Sequence, residues 1–363
     1  MKRSLCLLFV LISMISCKEK SEKQSMAEAS NLQLEKNTIR KIDVHSHYKE
    51  PRDYLTGFFK KWNMQAVLVD VSITDSTKVR RSWDSYLAHK QAYPDLFSLC
   101  SSFIGVDIDS PEYAERIIEQ LKGEIASGAG MVKVWKNFGM VTKDKAGNYI
   151  QIDDPRLQPI WDYLVELDIP VMAHIAEPIQ AWRPLDDPNN PHFGYYTDNP
   201  QYHAYTMPEI PTYETIIKAR DNWISSNPKL RVLCAHVGSM SHDVDMVSER
   251  LDTYPNMQVE LGARFGDIAG QDSKKVKSFI EKYQDRVMFG TDYGTSSPQE
   301  SMTAEELQTE MTNLDARYTV LWDYLSGSDS LVLRKQHTKG LGLSKEVLEK
   351  VYFQNAADFL KIK

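Results

Sequence analysis

The chain has 363 residues, with 43 Lys+Arg against 50 Asp+Glu and four Cys. Hydrophobic residues make up 42% and charged residues 26%, a globular balance that excludes a disordered, collagen-like or disulfide-stapled chain. The formal charge of -7 argues against nucleic acid as a partner, because that needs basic surface to displace phosphate counterions.

The first elements are not part of the fold. Lys2 and Arg3 precede an apolar run at 5–12, and Met14-Ile15-Ser16-Cys17 follows. The run is too short to span a bilayer. Its end at Cys17 resembles a bacterial lipoprotein signal, with an ordinary secretory signal or a short membrane anchor as alternatives. On this reading residues 1–16 are removed and Cys17 carries the lipid that tethers the protein to a membrane. The expected location is the bacterial cell envelope, at the outer membrane. Losing Lys2 and Arg3 leaves the mature chain more acidic. Residues 17–38 are rich in Lys, Glu, Ser and Gln and read as a flexible tether. The folded domain is then 39–363.

Within that domain, short aliphatic runs alternate with longer amphipathic segments. The runs at 39–44, 64–71, 97–104, 131–134, 169–173, 231–235, 257–261 and 287–289 predict eight strands. Between them, 111–126 and 155–167 open on Pro, a helix-start signal. Segment 212–226 places Tyr213, Ile216, Ile217 and Trp223 on one stripe, and 274–283 and 345–360 complete the helical series. Eight strands alternating with helices predict parallel βαβ units. Closure into an α/β (β/α)8 TIM barrel removes the sheet edges and fits the length. An open doubly wound sheet competes, but no Gly-rich phosphate loop follows the first strand. Cys100 and Cys234 fall inside apolar strands and read as small buried hydrophobes.

The connection at 178–211 holds seven of the 16 Pro and six Trp, Phe or Tyr residues. Loops this long inside a domain are uncommon unless functional. It follows the fifth strand, so in a barrel it lies on the catalytic face. It reads as a substrate lid, a packed surface excursion, or a contact between copies in a homo-oligomer.

Ligand-capable side chains stand where the apolar runs stop. The first strand ends Asp43-Val44-His45-Ser46-His47, and i and i+2 share a strand face. His174 closes the fifth strand, His236 the sixth and Asp292 the eighth. A lone core histidine explains any one of these, but in a barrel all four strand ends converge on one mouth.

The constellation resembles the amidohydrolase superfamily, in its amidohydrolase-2 branch with decarboxylases of the aminocarboxymuconate-semialdehyde type. The matching pieces are DVHSH at 43–47, GAGMVKV at 128–134, PVMAH at 170–174, LRVLCAHVGS at 230–239, VELGAR at 259–264, VMFGTD at 287–292 and FQNAADFL at 353–360. The long loop at 178–211 and extra sequence at 294–340 depart from the family pattern. The resemblance implies that His45, His47, His174 and Asp292 hold one divalent metal, Zn with Mn as the alternative. It implies His236 and Asp292 as catalytic residues beside a metal-activated water. Lys133, on the fourth strand, is a candidate ligand for a second metal, since other branches carboxylate a lysine there. Alternatively it is a plain polar residue or an ion-pair partner.

Arg264 and Trp135 are candidates for binding a small-molecule substrate, against a surface ion pair for Arg264 and plain helix packing for Trp135. Glu177 reads as a solvent-facing or capping residue, with support of a ligand as the alternative. His89, His192, His203, His242 and His337 lie away from strand ends and read as bland. The expected activity is metal-dependent hydrolysis of an amide, ester or lactone. Nonoxidative decarboxylation of a small unsaturated or aromatic acid is the alternative, and a non-catalytic solute-binding lipoprotein is the third reading.

Overall fold

The computed structural model describes residues 35–75, 78–188 and 190–362. The signal read at 1–16, the Cys17 anchor and most of the tether lie outside them. The chain divides into two units, Met1–Thr38 and Ile39–Lys363, and every strand and helix described belongs to the second. Among the described residues no helix is long and apolar enough to cross a membrane.

All eight predicted strands form. They are β1 (Lys41–Tyr48), β2 (Met64–Val69), β3 (Phe97–Ser102), β4 (Ala129–Val134), β5 (Val171–Ala173), β6 (Val232–Cys234), β7 (Met257–Glu260) and β8 (Val287–Met288). Among the described residues, the helices of eight residues or more in the intervals are α1 (Leu55–Trp62), α2 (Trp83–Ala92), α3 (Tyr113–Ala126), α4 (Gln158–Glu166), α5 (Tyr213–Ser226), α6 (Val244–Thr253) and α7 (Ser273–Lys282). The stripe read on α5 is buried, and Thr212 caps the helix by accepting from Thr215 N at 3.2 Å. Such a cap contributes about 1 kcal/mol.

The eighth strand is broken. After β8 the chain turns through 289–292 and resumes as β9 (Tyr293–Thr295). β8 pairs with β7, β9 pairs with β1, and every pairing around the sheet is parallel. Across the break Val44 N donates to Phe289 O at 3.1 Å and Asp292 N to His45 O at 2.7 Å. These bonds join the two ends of the sheet, so the open doubly wound alternative is excluded and the fold is a TIM-type barrel. Gly294 permits the closure, because any Cβ there would strike the carbonyl of His47.

The interior is one apolar cluster with members from the barrel strands: Ile42, Val44, Val67, Val69, Cys100, Met131, Met172, Leu233 and Met288. Ala356, Ala357 and Phe359 of the last helix, α9 (Asn355–Leu360), belong to the same cluster. Burying each large aliphatic side chain contributes roughly 1.5–3 kcal/mol before entropy is counted. Cys100 and Cys234 are buried and unbridged, as expected.

The segments 178–211 and 294–340 both contain regular elements. Segment 178–211 coils into the short turns Ile179–Trp182, Phe193–Asp198, Pro200–Tyr202 and Ala204–Thr206. After β9 comes α8 (Ala304–Ser326), a 23-residue helix, and then the hairpin of β10 (Ser330–Leu333) and β11 (Gln336–Lys339). The sequence signal for α8 was its start. Thr303 and Glu306 form a capping box, each satisfying the other's backbone N–H.

Candidate active site

His45 and His47 do not reach the site by simple alternation. Ile42 and Val44 both belong to the interior cluster, while Asp43 accepts hydrogen bonds from Thr291 Oγ1 at 2.5 Å and Tyr318 OH at 2.6 Å. The register of β1 against β2 slips between Asp43 and Ser46. Within that slip His45, the residue after Val44, also faces the interior, where Lys133 Nζ lies 2.7 Å from its Nε2. A bulge re-aims side chains in this way and is common beside active sites.

Three candidate ligand atoms then meet. His47 Nε2 is 3.2 Å from His45 Nε2 and 3.0 Å from Asp292 Oδ1, and His45 Nε2 is 3.4 Å from the same oxygen. Atoms held about 2.1 Å from one ion in tetrahedral array lie roughly 3.4 Å apart. The donors of His45, His236 and Asp292 also lie within 4.8 Å of one another. His236 Nε2 is 3.2 Å from His174 Nδ1, and their rings pack edge to face at 4.2 Å. Of the four sequence-read ligands, His45, His47 and Asp292 form one cluster, and His174 joins it through His236.

The backbone is unusual at two of these positions. His236 has φ of 59° and Asp292 of 63°, a left-handed conformation that costs a non-glycine residue about 1 kcal/mol or more.

Protonation suits a cation. Burial, reinforced by the positive neighbour Lys133, holds His45 well below its ordinary pKa. Burial, with His236 beside His174 and Arg264 beside His236, holds those two imidazoles down as well. For Asp292 burial pushes the carboxyl up, but His45, His47 and His236 outweigh it and hold it well below the usual range. Neutral imidazole and ionised carboxylate are the forms that bind metal. His174 Nε2 is buried with no hydrogen-bond partner. Crowded nitrogens around His45 Nε2, an orphaned ring nitrogen and an ionised carboxylate fit one divalent ion. Lys133, 1% exposed on β4, has His45 Nε2 as its hydrogen-bond contact and no carboxylate in ion-pair contact among the described residues. Burial lowers its pKa.

Glu260, at the end of β7, was not singled out from the sequence. It is fully buried, accepts from His45 Nδ1 at 2.9 Å and from His236 N at 2.7 Å, and also takes Gly262 N–H. It therefore fixes the His45 tautomer with the proton on Nδ1 and the lone pair of Nε2 toward the cluster. A Cβ at Gly262 would lie 2.6 Å from the Glu260 carboxylate, and one at Gly290 closer still. The sequence signal was an acid inside the apolar run of VELGAR; its approach to Gly262 and Gly290 arises only in the fold.

A cavity of about 200 Å³ opens over the cluster, lined by His174, His236, Asp292 and Arg264 among others. Arg264 is not a surface ion pair. It is 8% exposed, has no carboxylate in ion-pair contact among the described residues, and its Nε lacks a partner. Trp135 packs edge-on against His174 at 6.4 Å and Tyr202 at 5.9 Å between ring centres. It supports the ring and the loop without lining the cavity.

Two expectations are corrected here. Glu177 neither caps nor faces solvent: it is 2% exposed and ion-paired to buried Lys136, with Tyr196 OH donating at 3.2 Å. Lys136 in turn sits 3.6 Å from the centre of the Tyr202 ring, so this network seats the 178–211 loop on the barrel. His192 is not bland either. Its Nε2 meets Asp267 at 2.8 Å, and Ser241 Oγ donates to the same carboxylate at 2.6 Å.

Comparisons with known proteins agree with this architecture. The uncharacterised TIM-barrel protein from Bordetella bronchiseptica is 15% identical, covers 89% of this chain and 99% of its own, and has a TM-score of 0.52. The 2,6-dihydroxybenzoate decarboxylase from Rhizobium is 14% identical, with 90% and 99% covered and a TM-score of 0.53. A dihydroxybenzoic acid decarboxylase from Polaromonas, solved with manganese and 2-nitroresorcinol, is 13% identical, with 90% and 98% covered and a TM-score of 0.50. Such identities speak for the fold alone. No curated protein matches the chain. The amidohydrolase family model matches residues 42–362. That match spans nearly the whole barrel, and this chain belongs to the amidohydrolase family.

Proposed function

We propose that the protein is a metal-dependent hydrolase acting on an amide, ester or lactone carbonyl of a small molecule. The observation that carries this reading is the cluster of His45 Nε2, His47 Nε2 and Asp292 Oδ1 within 3.4 Å of one another, beneath an open cavity. His45, His47, His174 and Asp292 would hold one divalent ion, zinc or manganese. When bound, the ion supplies a Lewis acid for the carbonyl oxygen and acidifies water. Asp292, ionised and with its side chain 30% exposed, would carry a proton to the leaving group. His236 Nε2 faces the same space, while its Nδ1 is held 2.8 Å from Gly262 O, which fixes the ring.

Lys133 supports a second reading of the metal content. A lysine beside His45, with no carboxylate in ion-pair contact, is suited to carry a carboxylate itself and bridge two ions, with His174 and His236 serving the second. Decarboxylation is the second reading of the chemistry. It is favoured by buried Arg264, whose free Nε fits a carboxylate substrate, and two of the structural neighbours named above are described as decarboxylases.

The deciding experiment measures bound divalent ion, then offers lactones, esters, amides and aryl carboxylic acids while following both acid and CO₂ release. Carbonyl hydrolysis lost on chelation supports the leading reading. CO₂ release supports the second, and the absence of any bound ion refutes both. We also propose that residues 1–16 are a cleaved signal and that Cys17 anchors the protein in the cell envelope through the 17–38 tether. The Lys2-Arg3 start, the apolar run and the position of Cys17 support that proposal.

A further inference from the structure

The chain is acidic overall, yet its cavity carries cationic side chains that the protein does not neutralise. Arg264 and Arg334 both line the space above His174, His236 and Asp292. The three acids that share this wall are engaged elsewhere: Asp267 with His192 and Ser241, Glu177 with Lys136 and Tyr196, and Asp292 with His47 and His45. Asp267 acts on Arg264 only at longer range. Neither arginine has a carboxylate in ion-pair contact among the described residues.

The two arginines arrive from different parts of the fold. Arg264 follows β7, is 8% exposed, and keeps an unpartnered Nε within the protein. A buried guanidinium lacking its complement of acceptors is costly unless a ligand supplies them. Arg334 comes from the hairpin between β10 and β11. Arg334 and Lys335 have φ of 49° and 69°, the two left-handed residues of a tight hairpin turn. That turn holds the backbone against Gly266, where a Cβ would lie 2.8 Å from the Arg334 Cβ. Pro191 of the 178–211 loop approaches Gly266 as well, at 3.5 Å from the same point. The hairpin and the loop therefore form one rim, with exposed Arg334 on it and buried Arg264 in the wall beneath.

We propose that Arg334 determines specificity: with Arg264 it holds a carboxylate on the part of the substrate directed away from the reacting carbonyl, so the enzyme acts on amides, esters or lactones of dicarboxylic acids. This rests on the cavity's being the substrate site of the proposed hydrolase. A guanidinium fork matches a planar carboxylate through two parallel hydrogen bonds. Hydrolysis at the metal end generates a carboxylate there, so a plain dicarboxylate mimics the product, and the monoacid of equal length lacks only the remote group.

The test is calorimetric binding of succinate, glutarate and adipate to the purified full chain, each paired with its monocarboxylate of the same carbon count. At the best-fitting length the diacid should bind at least about ten-fold tighter, the margin of one charge-assisted contact. Arg334→Gln should remove that margin and leave monoacid binding unchanged, while Arg334→Lys should keep part of it. Arg334 is exposed and its side chain also hydrogen-bonds Tyr293, so the melting temperature of each variant, measured alongside, separates lost packing from lost binding. A margin that survives in Arg334→Gln, or the absence of a margin at every length in the parent, overturns the assignment. Because the readout is binding, an enzyme that fails to hydrolyse any ester would refute the proposed reaction without touching this result.

Discussion

Replacing Glu260 with Gln tests whether the metal centre is organised from behind. The substitution preserves size, which matters because Gly262 and Gly290 leave room for little else. It changes one oxygen into an NH2 group. The carboxylate now faces donors on both oxygens: His45 Nδ1 and His236 N on one, Gly262 N on the other. Backbone N–H groups cannot change role, so either orientation of the amide sets a donor against a donor. The cost is about 1–3 kcal/mol for one buried unsatisfied group. With the NH2 group on the His45 side, His45 also loses its fixed tautomer, and a proton on Nε2 would block the lone pair that faces Asp292. Changes to such supporting partners typically weaken metal affinity about 10–100-fold. Competition against a chromogenic chelator measures the affinity, and thermal unfolding of the metal-free protein measures the packing cost separately. Glu260→Gln that holds zinc as tightly as the parent would refute the argument, whatever its melting temperature.

The buried Asp267 carboxylate should make stability pH-dependent. Burial pushes its pKa up, but the hydrogen bonds and charge of His192, aided by Arg264 and Ser241, hold it below the usual carboxylate range. A depressed folded pKa contributes stability in full above the unfolded value of about 3.9 and loses it as pH falls through the folded value. Asp267→Asn should therefore lower the melting temperature at pH 6 and flatten its decline between pH 4 and pH 2.5. An unchanged acid limb would contradict this. Lys136→Met should leave Glu177 buried with Tyr196 as its remaining partner, at a cost of about 3–5 kcal/mol. The denaturation midpoint should fall and protease should cut more readily within 178–211; an unshifted midpoint would remove Lys136 from its role in seating the loop. Cys17→Ser should move the protein from the membrane fraction to the soluble fraction of its native host and abolish labelling by radioactive palmitate. Retained labelling would exclude Cys17 as the lipid site.

The legible parts of this protein are those set by local pattern. Eight aliphatic runs became eight strands because β-branched and aliphatic residues suit a sheet buried on both faces. The helices between them were announced by Pro and by stripes such as that of α5. His45, His47, His174, His236 and Asp292 were legible because each interrupts an apolar run at its end, and barrel topology brings those ends to one mouth. The low Cys count also kept its meaning, since Cys100 and Cys234 lie unbridged in the core.

Tertiary structure decided what depends on contacts between residues distant in the chain. Alternation alone places Val44 and His45 on opposite faces, and the register slip of β1 against β2 puts both inside. Glu260 is an ordinary acid until β7 sets it beside His45, 215 positions away. Glu177 and Lys136 look solvent-facing singly, and only the folded loop buries them as a pair. Arg264 and Arg334 share a cavity because a hairpin tip lands on Gly266. Hydrophobic period and strand ends are encoded along the chain. Burial, pairing and charge compensation arise only when the barrel closes, and those properties orient the candidate metal ligands and shape the cavity above them.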